Sequence, residues 1–183
     1  MSRSLACRLL PAVALVAATV AGTAFAPASV VEAAAVHAAF GPPWIAIEYP
    51  PSPYDRVSRE ALLLVRAYHH ATPVGLPVSG TAEGIVNGQR RTIRLEFQAT
   101  SQTGAFALRK QWPTEGTWVL NLAVTQGEGE YNTAGALVTL DREGKVARVD
   151  VPLRQIAGVE VRTPRRVTAA EVEAALQARM AMR

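Results

Sequence analysis

A strict alternation of apolar and polar side chains is the feature of this 183-residue sequence that most limits its fold. The stretch from Thr92 to Ala99 shows it clearly, with an apolar residue at every second position. A β-strand has this period because successive side chains point to opposite faces of the sheet. Similar stretches recur between turn signals about every 8–12 residues, a spacing typical of an all-β sandwich. The other predicted strands are Trp44–Tyr49, Ala61–His69, Ala105–Lys110, Thr117–Thr125, Ala136–Leu140 and Lys145–Val151.

The turn signals favour antiparallel pairing of these strands. Asn87-Gly88 is the preferred pair for a two-residue type I′ hairpin, and the segment Asp141–Gly144 suits a tight turn with a left-handed glycine. No helical pattern separates one predicted strand from the next, which argues against a parallel sheet. We therefore predict an all-β fold, an immunoglobulin-like β-sandwich of about 7–8 antiparallel strands with Trp118 in its core. A closed barrel of similar strand number is the alternative.

Residues 1–35 have the layout of an export signal. A basic region at Arg3 and Arg8 precedes the run from Leu9 to Val31, which contains 23 residues without a charge. We interpret this segment as a cleaved signal peptide, and an uncleaved N-terminal anchor is the alternative. Either form places the remainder of the chain outside the cytoplasm, so we expect an exported protein that is periplasmic or extracellular.

The remainder of the chain divides into three regions. They are a linker, the predicted sandwich, and a basic linker with a C-terminal helix, at residues 36–43, 44–161 and 162–183. Thr168 and Glu171 have the spacing of a capping box and predict where this helix begins. An apolar stripe that includes Val172 and Leu176 follows them. Because a lone helix of this length is marginal in water, we expect it to dock on the sandwich or on another protein, or to stay frayed.

The single cysteine, Cys7, lies in the export segment, so the exported domain has no thiol. Disulfides, cysteine zinc sites, iron–sulfur clusters and cysteine nucleophiles are therefore excluded from that domain. The formal charge of +4 also shrinks, because residues 41–158 carry twelve basic and eleven acidic side chains. A nearly neutral domain lacks the cationic surface that nucleic-acid binding requires. We expect membrane contact only if the N-terminal segment is uncleaved.

The sequence contains no recognisable catalytic motif. Its serines occur without a Gly-x-Ser-x-Gly elbow, and no glycine loop of the phosphate-binding type is present. Only two histidines lie in the predicted sandwich, where one would have to act as a base. We therefore expect a protein that is not an enzyme and that has no cofactor.

A group of glycine and aromatic positions between residues 73 and 120 resembles small exported β-sandwich modules. The group comprises Pro73-Val74, Gly80, Gly84, Thr100, Gly104–Leu108 and Trp112–Leu120. In it, a strand with glycine and phenylalanine leads through a glycine turn into a strand with tryptophan, as in immunoglobulin-like or transthyretin-like modules of the YtkA-like and CopC-like type. The resemblance implies the fold, and it raises copper binding, which periplasmic CopC-like members perform. The three methionines lie outside the predicted strands, so the sandwich has no methionine-rich copper site.

His69 and His70 are the remaining metal candidates, because two imidazoles suit copper or zinc. In an extended strand these neighbours would point to opposite faces. They can share a metal only if the strand ends and the backbone turns, which the following segment 71–73 permits. A metal-binding domain that uses this pair is our alternative function. The simpler interpretation is a strand-end pair with one packed and one solvated ring.

Aromatic side chains at predicted strand ends and loops indicate a binding role. An exposed ring at such a position can anchor a protein partner, because tyrosine and tryptophan are enriched at interfaces. We predict a binding or accessory module of the cell envelope that recognises a protein partner. The predicted partner-binding residues are Trp44, Tyr54, Trp112 and Tyr131.

Overall fold

A computed structural model describes residues 41–155 and 162–181 of the chain. The predicted signal segment, residues 1–35, lies outside the described residues. Short 3-10 helices occur at Ser58–Glu60 and Glu130–Asn132, and helix α1 spans Ala169–Ala181. The strands are β1 (Trp44–Glu48), β2 (Leu63–His69), β3 (Thr72–Pro73), β4 (Val78–Val86), β5 (Gln89–Arg94), β6 (Gln98–Ala99), β7 (Ala105–Leu108), β8 (Thr117–Thr125), β9 (Thr133–Leu140), β10 (Val146–Asp150), β11 (Leu153–Gln155) and β12 (Arg162–Pro164).

The strands form antiparallel sheets, which confirms the predicted β-rich class. The first sheet has the order β1-β2-β7-β6, and β3 pairs with the end of β2. The second sheet has the order β10-β9-β8-β4-β5, and β11 pairs with β12 in a small third sheet. Apolar side chains of both larger sheets pack into one core, an arrangement compatible with a β-sandwich. Core residues from the two sheets include Ile45, Leu63, Val65, Leu108, Leu120, Leu122 and Val138.

Strand β8 lies in the middle of the second sheet, and its predicted inward residues are buried. Trp118, Leu120, Leu122 and Val124 are each at most 4% exposed. The indole Nε1 of Trp118 donates a hydrogen bond to the carbonyl of Glu115 at 2.8 Å. The structure thus confirms Trp118 as a core tryptophan whose polar atom is satisfied.

Strand β4 is missing from the predicted set because its inward positions are small. These positions are Gly80, Ala82 and Gly84, which interrupt the apolar alternation that marks a strand. Gly84 lies opposite Trp118 in the register. A Cβ atom at Gly84 would lie 2.3 Å from Cε3 of Trp118, so the missing side chain provides the space for the indole. The described residues contain more than the predicted 7–8 strands because β4 and several strands of two or three residues were not predicted.

The predicted strand Thr92–Ala99 is wrong as a single strand. The chain leaves the second sheet at the end of β5 and enters the first sheet as β6. Between them, Glu96 donates its N–H to the side-chain oxygen of Gln111 at 2.8 Å and accepts a hydrogen bond from the amide nitrogen at 2.7 Å. The alternation persists across this crossover because the core stays on the same side of the chain. The residues that pack on it are Ile93, Leu95 and Phe97.

Helix α1 covers part of the outer face of the second sheet. Val172 and Leu176 are at most 3% exposed, which confirms the predicted docking face. They form a second apolar cluster with Val119 of β8 and Leu137 of β9. These two strands are therefore buried on both faces, between the shared core and the helix.

Glu171 closes the predicted capping box. The N–H of Thr168 donates to its carboxylate at 2.8 Å, and the N–H of Glu171 donates to the Thr168 hydroxyl at 3.3 Å. The guanidinium of Arg165 donates to both carboxylate oxygens, at 2.6 and 2.9 Å. The Arg165 hydrogen bond is the main cause that lowers the pKa of Glu171 from 4.5 to about 2, and the bonds from Thr168 add to it.

We expect Gly84→Ala to lower the free energy of unfolding by about 1–3 kcal/mol, the usual cost of overpacking a core. The indole is held by its hydrogen bond and by the buried core, so it has little room to move away from a new methyl group. Chemical unfolding measures the change. Gly75→Ala is the matched control, because a Cβ at Gly75 meets no atom within 4 Å. Equal effects of the two substitutions would contradict this packing argument.

We expect Glu171→Gln to lower the free energy of unfolding near neutral pH by about 1 kcal/mol, since the ion pair is partly exposed and screened. The pKa of Glu171 is lower in the folded chain than its ordinary value of 4.5, so this stabilisation is present above that pH and is lost as the pH falls toward 2. Unfolding free energies of the chain and the variant, measured across this range, should therefore converge in acid. A difference that stays constant with pH would show that Glu171 does not act through its charge.

Candidate binding edge at strand β1

Strand β1 forms one edge of the first sheet. It pairs with β2 on one side, and among the described residues no backbone hydrogen bond joins its other side to a strand. Strand β12 lies near β1 but pairs with β11. Among the described residues this side of β1, called its open side below, has no strand partner, and unpaired N–H and C=O groups at a sheet edge can pair with another extended chain.

The other edges of the two larger sheets have features that oppose strand addition. Strand β5 contains three arginines, and β10 has an irregular register between Val146 and Arg148. Strands β3 and β6 have two residues each. Strand β1 reads Trp-Ile-Ala-Ile-Glu, and its one charged residue, Glu48, pairs with Arg66 at 2.5 Å. Because charge, irregularity and short length protect an edge, β1 is the least protected edge of these sheets.

Two aromatic rings border a groove beside this edge. Trp44 lies directly opposite Tyr68 of β2 in the antiparallel register. Opposed residues share a face of a sheet, and here it is the outer face, because the next residue of β1, Ile45, points into the core. The two rings, together with Ile45, Ala46 and Ala71, line a groove of about 450 Å³. These five residues are called the edge groove below.

Trp44 is one of the four predicted partner-binding residues, and its side chain is 39% exposed. Tyr68, which shares the groove, was not predicted. The alternation in the segment Ala61–His69 places Tyr68 on the outward face, but its contact with Trp44 depends on the register between two strands that 14 residues separate. The apolar–polar period of a strand predicts the face of the sheet on which a residue lies. The register between two strands depends on tertiary packing and cannot be read from that period.

The other predicted aromatic residues lie elsewhere. Tyr54 is 93% exposed in the loop that follows β1, and Tyr131 is 56% exposed beneath the guanidinium of Arg154, which lies 4.2 Å from its ring centroid. Trp112 is 5% exposed and belongs to the core, so its ring is not presented to a partner. Within the described part of the chain, no ring contact joins Trp44, Tyr54 and Tyr131 into one surface.

Asp55 fixes the loop that carries Tyr54. One carboxylate oxygen accepts hydrogen bonds from the N–H groups of Val57 at 2.7 Å and Ser58 at 3.2 Å. The other oxygen accepts from the N–H of Ser101 at 3.0 Å and from the Ser101 hydroxyl. The hydroxyl is the largest of the causes that lower the pKa of Asp55 from 3.8 to about 2. The charged carboxylate thus ties this loop to the segment between β6 and β7.

The two predicted metal candidates lie at the end of β2, next to the edge groove. His69 pairs with Thr72, and His70 and Ala71 have φ angles of 49° and 61°, so the backbone turns tightly after His69. Both central residues of this hairpin turn are left-handed, as in a type I′ turn. The turn brings the two imidazole rings to a centroid distance of 4.4 Å. The turn thus provides the change of backbone direction that two neighbouring histidines need in order to share a metal.

The two rings make a contact with each other and form part of no larger donor group among the described residues. The ring planes of His69 and His70 meet at 85°, edge to face. Nε2 of His69 is buried and has no hydrogen-bond partner. No group of three or more His, Cys, Asp or Glu side chains in the described residues is arranged to hold a metal ion. Within the described residues, His69 and His70 thus supply two of the ligands that a closed copper or zinc site needs.

The chain matches no protein-family model, no curated protein and no solved structure. The likeness to YtkA-like and CopC-like modules thus stays a prediction from sequence. None of the helices in the described residues has the length and apolar character to cross a membrane.

Proposed function

We propose that this chain is an exported, non-catalytic immunoglobulin-like β-sandwich that acts as a binding or accessory module of the cell envelope and recognises a protein partner. Export is inferred from the sequence layout of residues 1–35. The immunoglobulin-like sandwich is inferred from two antiparallel sheets with a common core. The partner site is the edge groove.

The observation that carries this proposal is the unprotected edge of β1 beside two aromatic rings. An extended segment of a partner can add to a sheet edge, where main-chain hydrogen bonds supply affinity and side-chain pockets supply specificity. β1 offers the main-chain groups, and Trp44 and Tyr68 offer the apolar contact. Both rings are amphipathic and lose little conformational entropy when they are covered.

A polar pair completes this surface on one side. Glu48 lies at the end of β1, and Arg66 bonds to its carboxylate at 2.6 Å through Nε. The N–H of Ser52 donates to the other carboxylate oxygen at 2.9 Å. An apolar centre with a satisfied polar rim is the usual composition of a protein interface.

We expect the double variant Trp44→Ala/Tyr68→Ala to weaken partner binding at least tenfold, because aromatic anchors dominate interface energies. A photo-crosslinking amino acid at position 46, in the edge groove, should capture the partner from cell envelopes. Titration of the purified partner against the chain and the variants then gives the dissociation constants. Tyr54→Ala is the matched control, since it removes a highly exposed ring from another surface.

Tryptophan fluorescence provides a second readout of the same surface. Of the three tryptophans, Trp112 and Trp118 are at most 5% exposed, so iodide quenching reports mainly on Trp44. Partner binding should protect Trp44 from iodide. The proposal fails if Tyr54→Ala weakens binding as much as the double variant, or if bound partner leaves Trp44 fully quenchable.

The alternative function is a copper-binding domain that uses His69 and His70. The tight turn that brings their rings together favours it. Further ligands would have to come from outside the described residues, in which no third His, Cys, Asp or Glu side chain is arranged with the pair to hold a metal. The alternative therefore rests on the chemistry of the histidine pair.

If the alternative holds, copper titration of the full chain should give one submicromolar site that His69→Ala/His70→Ala abolishes. Absence of binding in the parent, or unchanged affinity in the double variant, would exclude the histidine site. Tyr54→Ala serves again as a control that leaves the turn intact. Isothermal titration calorimetry measures all three proteins.

A further inference from the structure

The outer face of the second sheet has a recess that helix α1 leaves uncovered. It has a volume of about 500 Å³ and lies apart from the edge groove, which belongs to the first sheet. Eight described residues from β4, β5, β8 and the segment before α1 line it, and none of them is acidic. They are Ser79, Gly80, Thr81, Thr92, Arg94, Asn121, Ala123 and Arg166.

The register explains why this part of the face is concave. Arg94, Thr81 and Asn121 lie side by side in one row across β5, β4 and β8, and Ser79 lies beside Ala123 in a neighbouring row. Short side chains thus form the floor of the recess. The floor is left open because the helix packs on neighbouring residues of β8 and β9.

Two arginines approach the recess from opposite sides. Arg94 comes from the edge strand β5, and Arg166 crosses over β9, where its guanidinium donates to the hydroxyl of Thr133 at 3.2 Å. Strands β5 and β9 are three strand spacings apart, about 14 Å at the usual distance between neighbouring strands. Two extended arginine side chains can span this separation, and both arginines line the same recess.

The guanidinium groups of Arg94 and Arg166 have no carboxylate partner among the described residues, whereas five other arginines do. Arg66, Arg90, Arg109, Arg148 and Arg165 each form an ion pair with a carboxylate. Within the described residues, the side chain of Arg94 has no ion pair or hydrogen bond, and the guanidinium of Arg166 donates only to the neutral hydroxyl of Thr133. The carboxylate of Glu83, in the next row, is already bound by Arg90 and by the Thr92 hydroxyl. Among the described residues that line it, the recess therefore has two arginines and no carboxylate, and the nearby Glu83 is already paired with Arg90.

We propose that this recess binds a phosphate group. A guanidinium presents a planar fork of donors that matches the oxygens of phosphate, and two forks suit its double charge. The hydroxyls of Ser79 and Thr81 and the side-chain amide of Asn121 add neutral donors on the floor. Soluble phosphate esters and lipid headgroups both present this chemistry to the recess, and the experiments below distinguish the two sources.

Inorganic phosphate is the first probe, titrated calorimetrically into the full chain at low ionic strength. We expect Arg94→Gln and Arg166→Gln each to weaken phosphate binding at least tenfold. Ser79→Asp places a carboxylate on the exposed floor and should abolish binding. Arg91→Gln is the matched control. It removes the same charge from the same strand, but Arg91 lies on the opposite face of β5 from Arg94. It should change the affinity less than twofold.

Vesicles distinguish the two sources of the phosphate. Sedimentation with phosphatidylglycerol vesicles, against phosphatidylcholine vesicles that carry no net charge, should show binding that Arg94→Gln removes if the source is a headgroup. Binding of inorganic phosphate without vesicle binding assigns a soluble ester. The proposal is overturned if the parent does not bind phosphate, if Arg94→Gln and Arg166→Gln bind as the parent does, or if Arg91→Gln loses binding equally. Thermal unfolding confirms that every variant is folded.

Discussion

The packing of Trp118 against Gly84 is the contact on which the rest of the structure depends. It seats one of the two core tryptophans between the two sheets and joins β8 to β4 at the centre of the second sheet. From there β8 is buried on both faces, toward the shared core through Leu120 and toward helix α1 through Val119. Because a chain without a cysteine in its folded part has no disulfides to hold it, apolar packing of this kind has to supply its stability.

Two packed sheets have edge strands with unpaired backbone groups, and these strands differ in how well they are protected against pairing with another chain. Arginines cover β5, and an irregular register interrupts β10, whereas β1 has an apolar sequence and an open side. The same sheets leave two outer faces, and the helix covers only part of one. The proposed partner site and the proposed phosphate site thus lie outside the core, one at an edge of the first sheet and the other in an uncovered recess of the second. The two proposals are independent, so an experiment that excludes one does not affect the other.

Sequence reasoning succeeds where one face of a strand or helix is apolar over its whole length. The inward residues of β8 and the capping box of α1 follow directly from such patterns. It fails at β4, because the glycines that accommodate Trp118 and Leu122 erase the alternation. It also fails at Thr92–Ala99, where one unbroken alternation runs through two sheets, since the core lies on the same side before and after the crossover. The alternation of apolar and polar residues shows which side of the chain faces the core, but it does not show which sheet a strand joins.

The candidate site is harder to predict than the fold. Trp44 and Trp112 are both next to prolines, yet one is 39% exposed and the other 5%, a difference that depends on the elements packed around each ring. The central claim is that a partner adds an extended segment to β1. Hydrogen exchange of the backbone amides, measured with and without the captured partner, tests it most directly. The account predicts new protection of the β1 amides with unchanged exchange along the edge strands β5 and β10. Protection at β5 or β10 with unchanged exchange in β1 would contradict it.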